Sequence, residues 1–229
     1  MNTNMNLTHG SHHTREAGLC LMEAVAMLGG EDHTADPGCA CQVLAAFGRR
    51  LNDEMGIGAQ GDVLRAKYLS DLAPRLVGTR STPEVELRRA LVFADGAVRV
   101  LAPLAMEAAG RVAAADALRA LSPVIDRDTA DRAAAAVRAA YAAVNAADAA
   151  AANAAYSAAN AAAAYAAAAA DYASAHAAGH AAVHADYAAT ATAAAGGATA
   201  TAGGADGARA WAESRALFIR AMEVSDEVS

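Results

Sequence analysis

Residues 82–101 read TPEVELRRALVFADGAVRVL, and this stretch decides the fold class. Thr82 is a cap residue, Pro83 takes the first helical position, where its missing N–H costs nothing, and Glu84 puts an acid in the first turn. The pattern predicts a helix from Thr82-Pro83 to about Leu101, with Pro103 kinking or restarting it. The same logic extends outward in both directions. Upstream, a helix over about 62–72 carries Val63, Leu64, Tyr68, Leu69 and Leu72 at burial spacing and is ended by Pro74. Before it, a helix from about Cys41 to Asn52 places Val43, Leu44, Phe47 and Leu51 on one face, and another from Thr14 to about Leu28 is stopped by Gly29-Gly30. Downstream, a short helix over Val112–Leu121 stops at Ser122-Pro123. No run alternates with period two over strand length, so the reading is all-α.

Composition then divides the chain. Of 229 residues, 72 are alanine, and counted in blocks of fifty they run 7, 6, 22, 30, with 7 in the last 29. Leu, Ile, Val and Phe number 38, about 17% of the chain, so only the first part, to about residue 125, can bury a conventional core. Between Ala130 and Ala195, 41 of 66 residues are alanine and none is proline, which predicts one long helix or a helical hairpin, with Asp126 and Asp128 at its start. The expected organisation is a flexible arm (1–13), a compact helical domain (14–125), the alanine-rich helical segment (126–195), a Gly/Ala/Thr linker (196–207) and a short amphipathic helix (208–229). That last helix carries Trp211, Leu217, Phe218, Ile219 and Met222, and its apolar face needs a partner, either the N-terminal domain or another subunit.

The net charge is −7, and the pI is about 5.4. It divides into −3 over residues 1–129 and −4 beyond, so neither part offers the basic footprint of a nucleic-acid binder. Arg49/Arg50 and Arg88/Arg89 read as solvated helix faces. No stretch of about 20 residues is apolar in the Leu/Ile/Val/Phe sense, which argues against a membrane span. The polar start MNTNMNLTHGSHH lacks the layout of a signal peptide, and three cysteines are an odd number; both point to a cytoplasmic protein with reduced thiols.

The chemistry-bearing residues concentrate in the first fifty positions. Cys20, Cys39 and Cys41 fall within thirty positions of His12, His33 and Glu23. Cys20 and Glu23 share a helix face, and a loop of about ten residues could bring Cys39 and Cys41 toward them. Thiolates with an imidazole suit zinc, so Cys20, Cys39, Cys41 and His33 form a candidate metal set, although the pair is spaced C-x-C rather than C-x2-C. An alternative is a catalytic thiol, with Cys20 as nucleophile, His12 or His33 as base and Glu23 beside them. The third reading is ordinary burial of free cysteines between helices.

The wording of this region is distinctive: Gly10-Ser11-His12, Gly18-Leu19-Cys20-Leu21-Met22-Glu23-Ala24-Val25-Ala26, Gly30-Glu31, His33-Thr34, Pro37-Gly38-Cys39-Ala40-Cys41, Ala45-Ala46-Phe47 and Asn52-Asp53. With Pro74-Arg75-Leu76-Val77-Gly78-Thr79 it resembles a family of actinobacterial and actinophage proteins that carries no assigned activity. The resemblance covers residues 10–101 and reaches the alanine-rich tail by composition alone. The family pattern has aspartate, histidine and proline at positions 35, 36 and 42, where this chain has Ala35, Asp36 and Gln42; any ligand or base role of that histidine is absent here.

On the alanine-rich segment, Tyr165, Tyr172, His176, His180, His184 and Tyr187 fall on one side at helical spacing. This ridge is a candidate interaction surface for self-association or for another helical protein, and protonation of three neighbouring histidines would weaken it in acid. No HExxH glutamate accompanies the histidines, and no regular threonine array supports the remote alternative of an ice-binding helix. The sequence therefore points to a non-catalytic interaction or scaffold protein, with zinc as the cofactor its cysteines would take. A Cys- or metal-dependent enzyme at Cys20, Glu23, His12 and His33 is the alternative.

Overall fold

The computed structural model of the chain describes residues 5–108, 110–142 and 205–225. Among them the regular structure is entirely helical. In chain order the elements are α1 (Leu21–Leu28), α2 (Gln42–Glu54), α3 (Ala59–Tyr68), a 3-10 turn (Ser70–Leu72), α4 (Ala73–Leu76), α5 (Pro83–Gly96), a π-helical segment (Ala97–Leu101), α6 (Ala102–Ala108), α7 (Val112–Arg119), α8 (Arg127–Ala142) and α9 (Ala205–Glu223). None of the described helices is long and apolar enough to cross a membrane.

Helix α5 begins where the sequence says it should. The Thr82 side chain accepts from the Val85 N–H, and Pro83 opens the first turn. Six residues before Pro103 the α geometry gives way to π, and the Ala102 N–H bonds the Ala97 carbonyl five residues back. Proline cannot donate to the turn behind it and its ring crowds the carbonyl four residues earlier, so a widened turn ahead of Pro103 lets the chain run on into α6. Pro74 behaves in the same way: it does not end a helix but sits in the first turn of α4, after the 3-10 turn has closed the segment that begins with α3.

The core is built around three phenylalanines. Phe47 of α2 and Phe93 of α5 stack with centroids 4.0 Å apart, and Phe218 of α9 meets them edge-on at 5.2 and 6.3 Å. Two glycines let α9 approach this closely. A Cβ on Gly96 would fall 2.1 Å from a Leu217 methyl, and one on Gly48 would press on Leu21, Met22 and Phe218 at 3.1 Å. The apolar face of α9 is thus covered by the N-terminal domain: Phe218 is fully buried, Trp211 nearly so, and Met222 partly so against the same core. Polar ties hold the helix in register. Arg215 forks onto both Asp71 oxygens at 2.8 and 2.7 Å, and Arg89, itself buried, donates to the Thr79 and Val224 carbonyls. Arg89 is therefore not a solvated face residue; its guanidinium joins the end of α4 to the chain after α9.

Residues 5–13, expected as a flexible arm, are anchored at Leu7 and Thr8, while Asn6, His9, Ser11 and His13 stay exposed. Leu7 is fully buried, and the Thr8 N–H donates to the Leu19 carbonyl at 2.8 Å. The helix expected from Thr14 begins instead at Leu21. Gly18, at φ +143°, stands outside helical geometry, and the first turn is capped from Cys20. The start of α8 matches expectation: Asp126 Oδ1 accepts from the Thr129 N–H at 2.8 Å, and the Thr129 hydroxyl accepts from the Asp126 N–H. The Tyr/His ridge (Tyr165, Tyr172, His176, His180, His184, Tyr187) lies outside the described residues.

Phe218→Ala removes the ring that closes the aromatic cluster. The substitution should cost about 3–5 kcal/mol, read as a lower denaturant midpoint with an unchanged slope.

Candidate functional site

The chemistry-bearing residues meet at the N-terminus of α1. Cys20 occupies the N-cap position, and its sulfur accepts from the Glu23 N–H at 3.4 Å while Glu23 Oε2 accepts from the Cys20 N–H at 2.8 Å. This is a capping box with a thiol where serine or threonine usually stands. Glu23 also faces the arm. Its carboxylate accepts from the His12 N–H and, at 2.8 Å, from the His12 ring at Nδ1. Only 1% of the Glu23 side chain is exposed, so its oxygens depend on these donors.

Two further contacts extend the network outward. His33 Nε2 donates to the His12 carbonyl at 2.9 Å and lies 3.6 Å from Glu23 Oε1. The Thr8 hydroxyl lies 3.0 Å from His12 Nε2. The backbone of the arm is gripped from α2: Asn52 takes the Leu21 N–H on its oxygen and donates from its nitrogen to the Thr8 carbonyl at 3.0 Å. Asp53 takes the Gly10 N–H at 3.0 Å. Arg65, fully buried, then holds the Asn52 carbonyl at 2.6 Å and the Gly56 carbonyl at 2.8 Å.

Burial pushes the Glu23 carboxyl up, but the N–H groups of His12 and Cys20 and the His12 ring outweigh it, so the group lies below its ordinary value. Cys20 moves the other way. Burial, with the Glu23 charge adding to it, pushes its thiol to about 12 against the lowering pull of backbone N–H groups. Cys20 is thus held as the capping thiol of α1, with burial disfavouring its thiolate.

The candidate metal set does not assemble. Cys39 is half-buried, beside Gly29 and near Glu31, and burial raises its thiol. Cys41 caps α2, with its N–H on the Thr79 hydroxyl and Arg89 and Glu86 nearby, and burial raises its thiol as well. Cys20 and His33 face Glu23 and the His12 backbone. Among the described residues no group of three or more His, Cys, Asp or Glu has the arrangement to hold a metal ion.

What does assemble is the other half of the cluster: His12, Glu23 and His33, with Cys20 as the cap. Thr8, Asn52, Asp53 and Arg65 complete it; Asn52-Asp53 stood out in the sequence only within the resemblance, and Thr8 and Arg65 not at all. Cys20-x-x-Glu23 has the spacing of a capping box and could have placed the helix start; Thr8 and Asn52 gave no local signal. No family model, curated protein or solved structure matches the chain.

Two predictions follow from this geometry. Glu23 is held below its ordinary value of 4.5, so its contribution is present above that value and lost as pH falls through the folded value. Glu23→Gln should therefore cost about 3 kcal/mol at pH 7 and flatten the acid limb of stability against pH, measured by urea unfolding at several pH values. In thiol alkylation of the native protein near pH 8, half-exposed Cys39 should react first, and Cys20 should stay unmodified until denaturant is added; peptide mass mapping reads the order.

Proposed function

We propose that this is an interaction protein whose helical domain holds both ends of its alanine-rich segment. The observation that supports this reading most directly lies on either side of residues 143–204. Helix α8, which leads into that segment, and α9, which resumes after it, both pack against the π-helical segment Ala97–Leu101. Anchoring both ends on one core fixes where the segment leaves the domain and where it returns. The composition of the segment supplies the rest of the reading. Alanine lets helices approach closely, and Tyr165, Tyr172, His176, His180, His184 and Tyr187 supply the larger groups that would give a contact its specificity. The partner is a second copy of this chain or another helical protein. A net charge of −7 gives no attraction to phosphate backbones.

Replacing residues 143–204 by a flexible Gly/Ser linker tests this reading. The domain should keep its cooperative unfolding, because the core described above lies outside the deletion, while association is lost. Sedimentation of both proteins reads the result. A wild type that is monomeric at every concentration, with no partner that distinguishes it from the deletion, would overturn the proposal, as would a deletion that keeps the wild-type mass.

A further inference from the structure

The arm, α1 and the glycine between them place a hydroxyl, an imidazole and a carboxylate in series. Thr8 Oγ1 lies 3.0 Å from His12 Nε2, and His12 Nδ1 lies 2.8 Å from Glu23 Oε2. The direction of the series follows from what each group can donate. An ionised carboxylate has no hydrogen to give, so His12 carries its proton on Nδ1 toward Glu23. In the neutral ring, Nε2 then offers its lone pair to the Thr8 hydroxyl. The competing acceptor for that hydroxyl, the Leu19 carbonyl, is farther away at 3.4 Å.

Each member is held. Glu23 is fixed by the His12 and Cys20 N–H groups, which leave its carboxylate one orientation. The Thr8 backbone is fixed on both sides, its N–H on the Leu19 carbonyl and its carbonyl on Asn52. Gly18 closes over the pair. A Cβ there would fall 2.6 Å from Thr8 Oγ1 and 2.7 Å from His12 Nε2, so a residue without one leaves the contact undisturbed. Both Thr8 and His12 keep part of their surface, 13% for the His12 side chain.

The geometry points to Thr8 as a nucleophilic hydroxyl that takes the acyl group of small esters, with His12 as its general base and Glu23 as the positioning residue. This adds an activity to the interaction role and does not depend on it. In the first step the Thr8 oxygen bonds to the acyl carbon, its proton passes to His12 Nε2, and the ester C–O bond breaks to release the alcohol, which takes that proton back. In the second, water attacks the acyl–Thr8 ester and gives a proton to His12; the Thr8 oxygen leaves and recovers it, and the carboxylic acid departs. No oxidant or metal enters either step.

Incubation of the full chain with p-nitrophenyl acetate tests this. Nitrophenolate release and peptide mass mapping should show one acetyl group, on Thr8. Thr8→Val, which keeps the shape of the side chain, should abolish the label, and Thr8→Ser should retain it. His12→Ala should slow acetylation by about a hundredfold or more, and added imidazole should restore part of the rate, which a purely structural histidine would not allow. Acetylation confined to other residues, or a Thr8 label that forms at the wild-type rate in His12→Ala, overturns the proposal. Should His12→Ala fail to fold, the Thr8→Val and Thr8→Ser pair decides it alone: equal labelling of Thr8→Val and wild type sinks the idea.

Discussion

The Glu23 carboxylate is the group on which the N-terminal half of the structure depends. It is 1% exposed and accepts from two backbone N–H groups and one imidazole. Moving such a charge out of water is costly unless donors replace the lost hydration, and each replacement here does structural work. The Cys20 N–H ties the carboxylate to its own helix, and the His12 N–H and ring tie it to the arm. One side chain thus starts α1 and closes the arm over it. The arm in turn covers the helix with Leu7, which is fully buried. An apolar side chain at this position would leave three donors with no acceptor between them.

A second set of polar ties repeats this pattern around α9. Arg89 is buried and ties the chain beyond α4 to the chain beyond α9 through two carbonyls, while Arg215 forks onto Asp71. The aromatic cluster of Phe47, Phe93 and Phe218 seats the same helix, joined by edge and stacking contacts that add to their area burial. Helix α9 is therefore part of the domain core and not an appendage. Gly48 and Gly96 explain how a helix so far along the chain fits there: each omits the Cβ that would hold it away.

The same physics separates the three cysteines. Among the described residues no group of three or more His, Cys, Asp or Glu could hold a metal ion, and Cys20 and Cys41 stand at the N-cap positions of different helices. The Cys20 sulfur accepts from the Glu23 N–H of its own first turn, Cys41 makes no such bond, and burial raises both thiols. The polar groups that do converge come from the arm and from α1, where a carboxylate and an imidazole meet a threonine hydroxyl.

The all-α class was legible in the sequence because helices announce themselves locally. Thr82-Pro83-Glu84 starts α5, Asp126 starts α8, and the spacing of Val43, Leu44, Phe47 and Leu51 marks the buried face of α2. Clustering of His12, Glu23 and His33 was legible too, since all three lie within about twenty positions. What only the tertiary structure decided depends on contacts between distant segments. Leu7 and Thr8 read as a polar arm until α1 and α2 supply the surfaces that bury and bond them. Arg89 reads as a solvent face until the chain after α9 returns, more than a hundred residues later, with carbonyls for its guanidinium. Pro103 reads as a kink or restart, and the chain passes it through a π turn, with α9 packed against α5, the π segment and α6. Capping and periodicity act over one or two turns and can be read in order along the chain, whereas the donor that satisfies a buried charge is chosen by the fold.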